Sequence, residues 1–241
     1  MNYILYQAYG KKEVKHECRF ALLHLLTLHY SNNICPIIYT DDPLFFKEVL
    51  HHFRQHEIEI LTTEQIKKWK GGIDFVHRVK IEIINHFFSK HTGNLLYCDT
   101  DTYFLESPEA IFKNIAEGKL YMHMMEGYIN KLSDPQFKKW EKFLVGNSSI
   151  ISPCNKSAVN KIQMWNAGVI GLQSAKKHLL EEVLHLTDKT YKQFPKHIAE
   201  QFAFCYIFQR EGNISEAAPY IFHYWYLKEF APYLEKLFET K

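Results

Sequence analysis

Leu95-Leu96-Tyr97-Cys98-Asp99-Thr100-Asp101 is an apolar run that ends in two carboxylates separated by one residue. In extended chain, side chains two apart project to the same side, so Asp99 and Asp101 can address one cation. Carboxylates that close repel each other and raise a pKa, and a divalent ion removes the conflict. Asp-x-Asp is a short pattern, and its placement directly after a buried-type strand is what sharpens it. The competing reading is a solvated turn with Asx caps.

Other candidates are scattered along the chain. Lys80 shares a helix face with Val76, Ile83, Ile84 and Phe87, so its ammonium either meets an anionic partner or extends along its stem to water. Arg78 shares its face with Glu82, which predicts a surface ion pair, and it could also be aimed at phosphate. His223, in Ile221-Phe222-His223-Tyr224-Trp225, would complete a two-carboxylate site suited to manganese or another borderline ion. A satisfied core histidine has the same local pattern. Trp165-Asn166-Ala167-Gly168-Val169 puts an amide and small residues before an apolar strand, where backbone can approach a ligand. Glu200-Gln201 opens an aromatic-rich helix, a place the helix dipole favours for an acid in any case. His51, His52 and His56 have no paired carboxylates at ligand spacing and read as decoration of a helix end.

These residues need a scaffold, and apolar periodicity supplies one. Strands are expected at Tyr3 to Ala8, Ile34 to Tyr39, Glu57 to Leu61 and Asn94 to Cys98. Helices are expected at Glu13 to Tyr30, Leu44 to Phe53 and Asp74 to about Ser89, with Asp74 as N-cap after the Gly71-Gly72 turn. Such alternation indicates a parallel sheet wrapped by helices, an α/β class. In the second half, helices are expected at Ser107 to Glu117, Pro135 to Leu144, Ala175 to Tyr191, Ile198 to Arg210 and Leu227 to Phe238. Strands are expected there at Lys119 to Met125, Ala167 to Leu172 and Tyr220 to His223, with surface loops over much of Glu126 to Trp165. Ligands of open parallel sheets bind beyond the carboxyl ends of the strands, which directs attention to Tyr9 and Gly10, Thr40 to Asp42, and Asp99 to Asp101.

The 241 residues are 46% hydrophobic, 15% aromatic and 23% charged, a composition that supports one packed domain. A formal charge of +2 supplies no field for a nucleic-acid backbone. Five scattered cysteines, Cys18, Cys35, Cys98, Cys154 and Cys205, form neither a zinc pattern nor a disulfide framework, which fits a reducing compartment. The first ten residues do not read as a secretory signal and no run is long enough to span a membrane, so a cytoplasmic location is expected. Phosphate-loop, dinucleotide, zincin and hydrolase-elbow motifs are missing from the sequence.

Phe75-Val76-His77-Arg78-Val79-Lys80 leading into Leu95 to Asp101, followed by Asn166-Ala167-Gly168-Val169 and then His223, resembles GT-A nucleotide-sugar glycosyltransferases. The likeness is greatest to the retaining family that contains glycogenin and bacterial galactosyltransferases. This resemblance implies a GT-A fold with a mostly parallel sheet, a nucleotide-sugar-binding half over residues 1–101 and an acceptor-side half over residues 102–241. It implies that Asp99, Asp101 and His223 hold Mn2+ or Mg2+ on the diphosphate of a donor such as a UDP-sugar, with Thr100 between them. Ala8, Tyr9, Asp41 and Asp42 would line base and ribose, and Arg78 or Lys80 would sit near the donor. Asn166 would lie near the sugar or the acceptor and Glu200 with Gln201 near the transferred hexose, Glu200 being the candidate base for the acceptor hydroxyl if configuration is inverted and no base being required if it is retained. The acceptor would be a glycan or a lipid-linked molecule, the latter compatible with peripheral membrane association. The family follows its C-terminal His with Gly and Lys-Pro-Trp, whereas Tyr224 and Trp225 stand here.

Two other readings use the same residues. Haloacid-dehalogenase-like phosphatases also place Asp-x-Asp-Thr after an apolar strand, with the first Asp, here Asp99, as nucleophile. A sugar-nucleotide-binding domain without turnover would keep the fold alone.

Overall fold

The computed structural model describes residues 1–147, 149–151, 156–227 and 229–239; Cys154 and part of the expected Glu126–Trp165 loop lie outside the described residues. Strands covered on both faces read as unbroken apolar runs. Asn2–Gln7 (β1) shows this, and Lys12–Leu26 (α1) covers it with Cys18, Ala21, Leu22 and Leu25. Ile34–Thr40 (β2) is buried throughout and leads to Pro43–Leu50 (α2), which starts where Asp42 accepts a hydrogen bond from Phe45 N–H and Pro43 fits the first turn. Glu57–Ile60 (β3), Thr63–Lys70 (α3), Arg78–Lys90 (α4) and Asn94–Cys98 (β4) complete the first half.

The second half runs through Thr102–Phe104 (β5), Glu109–Ala116 (α5), Leu120–Met122 (β6), Met125–Tyr128 (β7), Pro135–Val145 (α6), Lys156–Val159 (α7) and Gln163–Trp165 (β8). It ends with Val169–Gln173 (β9), Leu179–Gln193 (α8), Ala199–Glu211 (α9), Ile214–Glu216 (β10), Ile221–His223 (β11) and Phe230–Glu239 (α10). Among the described residues the central sheet has seven strands in the order β10-β6-β9-β4-β1-β2-β3.

The sheet is mostly parallel, as expected; only β9 departs, pairing antiparallel with both β4 and β6 among the described strands. Residues alternate along β4, Leu95 and Tyr97 joining the core under α4, α8 and α9, Leu96 and Cys98 the core under α1, α2 and α5. Asp99 continues the parity of Tyr97 and therefore emerges on the α4 and α9 side.

Asp74 is not an N-cap. It sits in the left-handed region at φ 48° after a short 3-10 turn, and α4 begins only at Arg78 with no side-chain cap. Two short elements also replace expected loop: β7 pairs antiparallel with β8, Met125 opposite Trp165. A second two-stranded ribbon, β5 with β11, sets His223 opposite Thr102.

Candidate active site

Strand ends place the carboxylates. The backbone N–H of Asp99 donates to Gly168 O at 2.7 Å, and the hydroxyl of Thr102 donates to Asp99 O at 2.7 Å, closing a tight turn between β4 and β5. The β5–β11 ribbon then carries His223 to Asp101, whose own carbonyl accepts from Tyr224 N–H at 3.0 Å. One ligand atom from each of Asp99, Asp101 and His223 lies within 4.8 Å of the others.

Helices supply the countercharge. Lys80 is buried, and its ammonium lies 3.3 Å from Asp99 Oδ1 and 3.4 Å from Glu200 Oε1 while donating to Ala167 O at 2.9 Å. The anionic partner expected for a lysine in an apolar stripe is therefore a pair of carboxylates, and the ammonium does not reach water along its stem. Burial disfavours the charged amine, but Asp99 and Glu200 together raise its pKa above the ordinary lysine value. Tyr97 adds a third constraint, its hydroxyl donating to Asp99 Oδ1 at 2.7 Å. Glu200 is pushed up to about 7 by burial, with Lys80 lowering it and Asp99 raising it.

The imidazole of His223 has a definable tautomer. Asn166 Oδ1 accepts from Gly168 N–H at 2.9 Å, which fixes the orientation of the amide. His223 Nδ1 lies 3.0 Å from that same oxygen and so must donate to it. In neutral imidazole the lone pair is then on Nε2, which stands 3.0 Å from Asp101 Oδ1. Two acceptors facing each other at that distance need a proton or a cation between them. A nitrogen and two carboxylates suit Mn2+ or a similar borderline ion, so the donor set fits the metal implied by the sequence resemblance.

The trio opens into a cleft of about 500 Å³, lined also by Lys80, Asn166, Glu200 and Gln201. Glu126 lines it too and was not singled out from sequence. It accepts from Gln201 Nε2 at 2.8 Å and from Asn166 Nδ2 at 3.5 Å, and burial raises its pKa despite these bonds. No spacing in the sequence marks Glu126, because the β7–β8 pairing is what sets it beside Asn166.

The remaining candidates lie elsewhere. Ala8 and Tyr9 follow β1 and Asp41 and Asp42 follow β2, along the same edge of the sheet as Asp99, yet none of the four lines this cleft. Lys15 lies 3.0 Å from Asp41 and 3.5 Å from Asp42. Burial raises the Asp41 pKa, but Lys15 and the Gly10 N–H outweigh it and bring the carboxylate below its ordinary range. Thr100 turns toward α1, donating to Glu17 at 3.2 Å. Arg78 pairs with Glu82 at 2.7 Å, as its face predicts, and also with Asp188 at 2.8 Å and Trp69 O at 2.6 Å, so its guanidinium is occupied away from the cleft. His51 caps the end of α2.

No protein-family model matches the chain, and no curated protein matches it in sequence. Solved structures do match its fold. Mouse xyloside xylosyltransferase 1 in its apo form aligns with a TM-score of 0.57 at 12% identity, over 90% of this chain and 85% of its own. Galactosyltransferase LgtC, in complex with donor and acceptor sugar analogues, aligns with a TM-score of 0.57 at 11% identity, over 85% of this chain and 70% of its own. The glycosyltransferase GlyE of Streptococcus pneumoniae TIGR4 gives 0.52 at 11% identity, over 89% of this chain and 45% of its own. The chain has the GT-A fold of these proteins, as the resemblance read from Phe75 to Asp101 led us to expect.

Proposed function

We propose that this protein is a metal-dependent glycosyltransferase that moves a hexose from a nucleotide-diphosphate sugar, a UDP-sugar for preference, to an acceptor hydroxyl. The observation that carries this reading is the convergence of Asp99, Asp101 and His223, with Nε2 facing a carboxylate, at the carboxyl edge of a GT-A sheet. A divalent ion held by these three residues would act as Lewis acid toward the leaving diphosphate.

The chain's own groups prepare that site. Tyr97 and Lys80 hold the Asp99 carboxylate in one orientation, and Asn166 holds the His223 ring in the tautomer that presents a lone pair. In the transfer, the bond from sugar C1 to the diphosphate oxygen breaks and the acceptor oxygen bonds to C1. The acceptor proton passes to the departing phosphate or to a cleft carboxylate. Glu126 suits that second role better than Glu200, because Glu200 is already paired with Lys80.

The phosphatase reading is not favoured by a fold shared with sugar transferases.

The test is thermal unfolding with nucleoside diphosphates in the presence and absence of Mn2+. UDP with Mn2+ at a hundred times its Kd should stabilise the native state by about 2.7 kcal/mol. Asp99→Asn and Asp101→Asn should each remove the Mn2+-dependent part and all donor turnover. Equal stabilisation of wild type and both variants would overturn the assignment.

A further inference from the structure

We infer that the cleft accepts an uncharged pyranoside, one face of which lies against the indole of Trp225; this rests on the transferase reading above. Of the four tryptophans, Trp69, Trp140 and Trp165 are 8%, 0% and 7% exposed, whereas Trp225 is half-buried and lines the cleft. Its ring is already fixed. The centroid lies 4.9 Å from that of His223 and 5.2 Å from that of Tyr226, which stands perpendicular to it.

Polar groups continue from this aromatic face in an unbroken series. Trp225 packs on His223, His223 bonds Asn166, Asn166 bonds Glu126, and Glu126 bonds Gln201. An apolar wall next to a short row of directional amide and carboxylate groups suits a ligand with C–H bonds on one face and hydroxyls at its rim. The negative face of the indole attracts those C–H bonds, and rigid placement keeps the entropy cost of binding low.

Charge narrows the class further. Asp99, Asp101, Glu126, Asp134 and Glu200 line the cleft, and Lys80, the one lysine or arginine lining it among the described residues, is already paired with Asp99 and Glu200. A divalent ion leaves the site net negative, and the donor diphosphate adds to that. A phosphorylated or uronic acceptor would meet like charge in a partly desolvated space.

The experiment is tryptophan emission of the full chain with Mn2+ and UDP, titrated with lactose and with methyl β-D-galactopyranoside, α-D-glucopyranoside and α-D-mannopyranoside. Glucose 6-phosphate and methyl β-D-glucuronide serve as anionic counterparts. At least one neutral sugar should give a saturable change that disappears in Trp225→Phe and should protect the half-buried indole of the wild type from acrylamide. The anionic sugars should bind about tenfold more weakly or worse, equivalent to 1.4 kcal/mol. No response to any neutral sugar, a response that survives in Trp225→Phe, or equal binding of the anions would overturn the inference. Circular dichroism checks that the variant folds, and the acrylamide arm stands if it does not. Nucleotide binding without sugar binding in the wild type would sink this inference alone. Sugar binding without Mn2+-dependent nucleotide binding would instead sink the transferase reading.

Discussion

Gly168 lies so close to the imidazole of His223 that a β-carbon there would stand 2.1 Å from Cε1 and 2.3 Å from Nδ1. The ring cannot swing aside freely, since Asn166 holds Nδ1 and the indole of Trp225 packs against it. Gly168→Ala should therefore displace His223 and weaken Mn2+ binding about 10- to 100-fold, the range seen when a ligand's support is disturbed. Overpacking adds a stability loss of about 1–3 kcal/mol. Calorimetric titration with Mn2+ measures the first effect and urea unfolding the second; wild-type Mn2+ affinity in the variant would show that the ring is not held as described.

Lys80 is the hub of the buried charges, so its removal should cost more than a surface ion pair. Lys80→Met leaves Asp99 and Glu200 without their cation, an arrangement that typically destabilises by about 3–5 kcal/mol. Adding Glu200→Gln removes one orphaned charge and should restore part of the loss. Urea unfolding of the two variants reads this directly, and identical midpoints would mean that Glu200 is not paired through Lys80.

Glu200 also predicts a pH dependence of stability. Burial holds its pKa in the folded state at about 7, above the ordinary 4.5, so the native state binds the proton more tightly than the unfolded chain does. Its contribution is therefore fully present below pH 4.5 and lost as pH rises through about 7, by about 3 kcal/mol over the window. Glu200→Gln removes the titration. The difference in unfolding free energy between variant and wild type should thus change across that window and be flat outside it; a constant difference would contradict the burial account.

The parts of this molecule written in local pattern were legible. β4 runs over Asn94–Cys98 as its unbroken apolar character predicts, and the two carboxylates after it emerge at the cleft. Asp74 failed because a capping residue type after a short Gly71-Gly72-Ile73 turn also suits a left-handed conformation. The helix α3 was missed although Thr62 and Gln65 have capping-box spacing, and Thr62 does accept from Gln65 N–H at 3.1 Å. Strands of three or four residues such as β7, β8 and β10 are too short for periodicity to speak. Glu126 and the tautomer of His223 arise from pairings between distant segments, and one sequence carries no signal for them.

Arg78 separates a structural cation from a substrate-binding one. Its guanidinium donates through Nε to Asp188 Oδ1 at 2.8 Å and through Nη1 to Glu82 at 2.7 Å and Trp69 O at 2.6 Å, tying α4 to α8 and to the end of α3. Burial opposes its charge, but Asp188 and Glu82 more than compensate and raise its pKa. Arg78→Ala should cost about 2 kcal/mol of stability, since charge-assisted bonds at a partly buried site are lost and Asp188 is left alone. Because the side chain is held away from the Asp99 cleft, Mn2+-dependent UDP binding at a temperature where the variant is folded should stay within about twofold of wild type. Urea unfolding and calorimetry separate the two effects. A large loss of nucleotide affinity at unchanged stability would return Arg78 to the donor site.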